Sequence, residues 1–132
     1  KEDENGYAIT RWKYDDRGNK IEISYYGTDE QLKEDKNGFA ITRWKYDDRG
    51  KKIEISFYGT DGQLKEDEKG NAIARLKYDD RGNTLEESYY GTDGQLKENK
   101  NGYAIIRWKY DDNNKIINTV GLDKNNKIIY EK

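Results

Sequence analysis

Any chemistry in this chain would have to come from carboxylates, hydroxyls and aromatic rings, because its 132 residues include neither His nor Cys. That removes the commonest general base, the usual nucleophile–base pairs and most transition-metal ligands. Paired carboxylates, which can act together as general acid and base, occur at Asp15-Asp16, Asp47-Asp48, Asp79-Asp80 and Asp111-Asp112. Each pair opens a turn-forming run (DDRG, or DDNN at the last), so capping a hairpin is the simpler use. Ser24, Ser56 and Ser88 recur at one spacing with no base in sight, which reads as a small filler between strands. Lys33-Glu34-Asp35-Lys36-Asn37-Gly38 puts Asp, Asn and Gly at the third, fifth and sixth places of a calcium loop. Its first place is Lys, which a cation site does not accept. The chain is read as non-enzymatic, with no catalytic residue, no metal and no cofactor.

Aromatic rings offer more. Trp12, Trp44 and Trp108 recur at one spacing, and Tyr14, Tyr46, Tyr78 and Tyr110 follow two residues later in the pattern. Rows of rings on a flat sheet can stack on sugars or on cationic head groups. The competing use of the same rows is packing, the ordinary fate of rings at strand spacing. Stacking on bases would want a basic groove as well. Here 25 basic residues meet 27 acidic ones, so nucleic acid is not an expected partner. No apolar run is long enough to span a bilayer as a helix, and membrane insertion is not expected either.

The elements that must hold these rows are set by a repeat. Lys1–Leu32 and Lys33–Leu64 agree at 27 of 32 positions. Lys65–Leu96 follows with more drift, and Lys97 opens a fourth copy that looks one residue short after Asp112. The expected layout is a hairpin array over 1–112, in units 1–32, 33–64, 65–96 and 97–112, with 113–132 as a degenerate C-terminal half-repeat or cap. Arrays need atypical ends, since an end unit has no neighbour to cover it. Leu, Ile, Val and Phe are only 22 of the 132 residues, too few for a thick core. A thin sheet covered by rings and long charged stems fits better. The chain opens on Lys1, which suggests a mature product or an excised piece.

Within each unit two segments have strand character, Tyr7–Tyr14 and Lys20–Gly27, rich in β-branched and aromatic residues and bounded by Gly, Asn and Asp. Closing the Asp16–Asn19 loop with two or four residues pairs Trp12 with Ile23, Tyr14 with Ile21 and Thr10 with Tyr25 on one face. Lys13 then faces Glu22, and Arg11 faces Ser24, on the other. A slip by one residue would mix the faces. In the third unit Trp12 and Ile23 become Leu76 and Glu87, a joint change consistent with that pairing. Asp61-Gly62 reads as a type I′ turn, and Gln63–Asp67 as a possible short third strand between two turns. The fold class is therefore all-β: an open antiparallel hairpin array, an elongated or gently curled meander.

The run YDDRGNKIEISYYGTDGQL, read across the first two units, resembles the bacterial YD-repeat family. Tyr14-Asp15…Gly18, Tyr46-Asp47…Gly50 and Tyr78-Asp79…Gly82 carry the likeness; at Tyr110-Asp111 the Gly is replaced by Asn114. The aromatic strands and Gly turns are also similar to MORN-type repeats. Both resemblances imply a hairpin scaffold, an adhesin segment or a binding surface, and neither implies catalysis. The expectation is a non-catalytic module of a larger bacterial surface or secreted protein, located outside the cell or on its surface. It would serve as a spacer and protein-interaction surface. The alternative is a carbohydrate- or cell-wall-binding module using the Trp and Tyr rows, so the expected partner is a protein or a glycan.

Overall fold

The computed structural model describes residues 7–132; residues 1–6, which open the first unit, lie outside the described part. Nine strands follow: β1 (Ile9–Tyr14), β2 (Lys20–Tyr26), β3 (Ile41–Tyr46), β4 (Lys52–Tyr58), β5 (Ile73–Tyr78), β6 (Thr84–Tyr90), β7 (Ile105–Tyr110), β8 (Ile116–Leu122) and β9 (Ile128–Glu131). They form a single antiparallel sheet in meander order, and among the described residues strands pack only on their sequence neighbours. The sheet is thus open, with β1 and β9 as its edges, and eight steps of about 4.8 Å make it roughly 40 Å wide. Its core is thin. Leu96 and Val120 pack on a buried apolar cluster of Ala104, Ile105 and Leu122.

The expected register holds along most of the first hairpin: Thr10 pairs with Tyr25, Arg11 with Ser24, Trp12 with Ile23 and Lys13 with Glu22. Lys45 likewise faces Glu54, and Leu76 faces Glu87. Beyond Lys13 the register shifts, and Tyr14 pairs with Lys20 rather than Ile21. The cause is the turn. Asp15 N–H donates to the Asn19 carbonyl and Gly18 N–H to the Asp15 carbonyl, leaving three residues in the loop rather than two or four. The three-residue loop and an odd-sum ladder (Lys13 opposite Glu22) are reconciled by a bulge that leaves Ile21 without a partner.

This turn is general. The same two backbone bonds close turns beginning at residues 15, 27, 35, 47, 59, 67, 79, 91, 99, 111 and 123. The fourth residue of each has positive φ, and those eleven are all the positive-φ residues described. Only Gly enters that region freely, with Asn next. Asn114 and Asn126 (φ 65° each) therefore replace Gly without changing the turn. Gly62 alone is left-handed in its turn (φ 76°), so Asp61-Gly62 is not type I′, which needs two such residues.

The proposed third strand shrinks to one bridge in each of three units: Tyr26–Leu32, Tyr58–Leu64 and Tyr90–Leu96. The edge it would need is taken by the next hairpin, since Ser24, Ile23 and Glu22 pair with Ile41, Thr42 and Arg43. No residue is missing after Asp112. Tyr110 pairs with Ile116 as Tyr14 pairs with Lys20, a constant offset of 96. Leu122 pairs with Ile128 at the same offset from Tyr26–Leu32. Here the segment zips on as β9, through Gly121–Tyr130 and Val120–Glu131.

Candidate interaction surface

Alternation along the strands sorts the side chains onto two faces. One carries a charge lattice. Glu22 lies between Lys13 (3.4 Å) and Arg43 (2.8 Å), Glu54 between Lys45 (3.2 Å) and Arg75 (2.8 Å), and Glu86 between Lys77 (3.5 Å) and Arg107 (2.9 Å). The lysine bonds lie within a hairpin and the arginine bonds join one hairpin to the next. Hydrogen bonds from Arg75 and Lys45 hold Glu54 below the usual carboxylate range, against burial, which is the largest influence and pushes it up. The guanidinium groups of Arg11, Arg43 and Arg75 also stack on Tyr26, Tyr58 and Tyr90 at 4.5–4.6 Å. Beneath them the buried Ser24, Ser56 and Ser88 hydroxyls bond the same tyrosines' hydroxyls at 3.1–3.3 Å. Each of these serines is thus tied to the tyrosine two residues on.

The other face carries the rings. Trp12 is 52% exposed, while Trp44 and Trp108 are half-buried. Lys20 and Lys52 ammonium groups stand over the Trp12 and Trp44 rings at 5.2 and 5.4 Å. The tyrosine row is a different thing. Tyr46 Oη donates to the Lys20 carbonyl (2.5 Å), Tyr78 to that of Lys52 (2.6 Å) and Tyr110 to that of Thr84 (2.6 Å). Each fastens its hairpin to the previous one. Burial, then the charges of Asp15, Asp47 and Asp79 respectively, raise the pKa of these three phenols, which favours the protonated donor. Tyr14 belongs to the first described hairpin and is 54% exposed. The seven row residues therefore split: Tyr46, Tyr78 and Tyr110 are staples, Trp44 and Trp108 are partly packed, and Trp12 with Tyr14 form an open ring surface at one edge.

A second ring pairing escaped the sequence reading. Tyr7 lies on Tyr25 and Phe39 stacks on Phe57, each with centroids 4.4 Å apart. The fourth hairpin has Gly121 opposite that slot, and the Tyr103 ring fills it so closely that an added Cβ would sit 2.5 Å from the ring. The third hairpin has Asn71 instead of a ring. Asn71 is 3% exposed and its Oδ1 has no partner. Nearby Tyr89 donates its hydroxyl to Glu87 (3.2 Å), and burial foremost, then the Glu87 charge, pushes its pKa up. An open cleft of about 470 Å³ is lined by Phe57, Asn71, Glu87, Tyr89 and Tyr103 among others. The sequence did carry a signal for this pairing, the joint change at the seventh and twenty-fifth places of the unit.

The aspartates that open the turns are occupied locally. Asp15 Oδ1 accepts the N–H groups of Arg17 (3.0 Å) and Asn19 (2.8 Å), which hold its pKa down, the Asn19 bond foremost. Asp35, in the calcium-like loop, accepts those of Asn37 and Phe39 in the same way. Among the described residues no three acidic side chains converge as a metal site, and no helix is long and apolar enough to cross a membrane. Compared with known proteins, the chain matches no family model and no curated sequence.

Proposed function

We propose that this chain is a non-catalytic repeat module, four 32-residue units with a C-terminal cap, that acts as a spacer and protein-interaction surface in a larger bacterial surface or secreted protein. The observation that carries this is that, among the described residues, each strand packs on its sequence neighbours alone. Such an array takes its length from the number of copies, and both faces stay available along it. The hairpin-to-hairpin links support the same reading. Arg17, Arg49 and Arg81 each donate to a carbonyl in the next hairpin's turn (Asp48, Asp80, Asp112). Lys65–Glu34 (2.7 Å) and Lys97–Glu66 tie successive connections. The YD-repeat and MORN-type resemblances agree with a scaffold. To test it, residues 33–64 are duplicated in place. The longest dimension in solution scattering should grow by at least two strand spacings, about 10 Å, without loss of melting temperature. Growth in all dimensions, as for a globule, would sink the spacer reading.

A second reading, a carbohydrate or cell-wall module, is favoured by the open Trp12 and Tyr14 rings. Glycan-array binding that is lost in Trp12→Ala but kept in Trp108→Ala would support it. Absence of binding by the intact chain would remove it.

A further inference from the structure

We infer that the outer edge of β8, now covered by β9, is a docking site for β1 of a second copy of this chain, so that copies join head to tail by strand exchange. The inference rests on the cap reading above and extends it. In each earlier unit the residues pairing with Leu32, Leu64 or Leu96 stop at one bridge, because the following hairpin's first strand takes the edge. β8 has the register of β2, β4 and β6. Among the described residues β9, not a hairpin strand, holds this edge. It is held there by the ladder from Val120 to Leu122, a mutual backbone pair between Thr119 and Lys132, the Asn118–Glu131 hydrogen bond (3.4 Å) and the edge-on contact of Tyr130 with Tyr103.

The two ends are also complementary. Tyr46 takes the Lys20 carbonyl of the hairpin before it; Tyr14, the same residue of the first hairpin, is 54% exposed. At the other end, Ile116 stands where Lys20 stands, and Ile117, the counterpart of half-buried Ile21 and Ile53, is 62% exposed. Trp44 and Tyr46 share a cleft with Ile21 and Ile53; Trp12 and Tyr14 of a second copy would cover Ile117 in the same manner. This is a heterologous contact that does not close on itself, so it yields open chains rather than a fixed dimer. Asn118 replaces the glutamate that elsewhere pairs with the incoming arginine, which keeps the joint weaker than those inside the chain.

The test uses the full chain with β9 loosened. Tyr130→Pro removes a backbone N–H and a ring from β9; should it also reduce the sheet signal, Ile128→Lys serves, since that side chain is exposed. In sedimentation velocity the loosened chain should form oligomers at a concentration at least tenfold below that of the unaltered chain. Adding Tyr14→Asp should return it to monomer. The loosened Tyr14→Asp chain mixed with unaltered chain should form dimers and nothing longer, since only one tail and one head are then competent. A loosened chain that stays monomeric overturns both the exchange and the cap. One that associates equally well with Tyr14→Asp overturns the head-to-tail joint and leaves the cap standing.

Discussion

Glu30 occupies the one turn position in the first three units where a residue other than Gly or Asn is left-handed (φ 65°). Gly62 and Gly94 hold the same place in the next two units. A left-handed L-residue costs roughly 1–2 kcal/mol, partly offset because Gly is the freer residue in the unfolded chain. Glu30→Gly should therefore raise stability by about 1 kcal/mol, read as a higher urea midpoint with an unchanged slope. No change, or a loss, would mean that the Glu30 side chain makes up for its backbone. Residue-scale features of this kind were readable beforehand: with Gly at two copies and Glu at the third, the turn itself names the misfit. The orphaned Asn71 Oδ1 was not readable, because only the stacking of Phe39 on Phe57 shows what ring is missing there.

At the scale of the element, the turn is the unit of construction. Its first residue is usually Asp, whose Oδ1 receives two N–H groups from within the same turn, as Asp79 does from Arg81 (2.9 Å) and Asn83 (2.8 Å). For Asp79 burial, the largest influence, pushes the pKa up, but the Asn83 and Arg81 bonds together bring it below the ordinary 3.8. A lowered folded pKa stabilises the fold above the unfolded value, and that contribution is lost as pH falls through the folded value. Acid should thus weaken the array below about pH 4. Asn99 fills the same role with a neutral amide, accepting from Asn101 and Tyr103. Asp79→Asn should keep the turn and reduce the loss of melting temperature between pH 7 and pH 2.5. An unchanged pH profile would place the acid sensitivity elsewhere, with the Lys–Glu–Arg lattice the next candidate.

For the molecule as a whole, the lattice of links between hairpins runs in one dimension and is incomplete at both ends. The central strands β3 to β6 have partners on both sides, with lysine links inside each hairpin and arginine and tyrosine links from one hairpin to the next. Among the described residues β1 and β9 have one neighbouring strand each, and every side chain of β9 is exposed. Hydrogen exchange should report a gradient, with protection greatest at β4 and β5 and least at β9, since local opening follows contact and exposure. Uniform protection would instead indicate that the sheet opens only as one cooperative unit.

The sequence by itself determined the strands, the face of each side chain and most of the register. All three follow from local periodicity: a shift by one residue would have turned the Trp and Ile positions onto the charged face. It also marked the turn sites, through Asp, Gly and Asn, but not the loop length. A three-residue loop with a bulge and a two-residue loop place Lys13 opposite Glu22 equally well, and only the backbone bonds of Asp15 separate them. Tertiary structure alone decided which strand takes the outer edge of β2, β4, β6 and β8. Leu32 and Ile128 stand at matching places, yet one makes a single bridge and the other begins a strand. The difference is competition for one row of backbone N–H and C=O groups: the next hairpin's first strand takes it at β2, β4 and β6, and β9 takes it at β8.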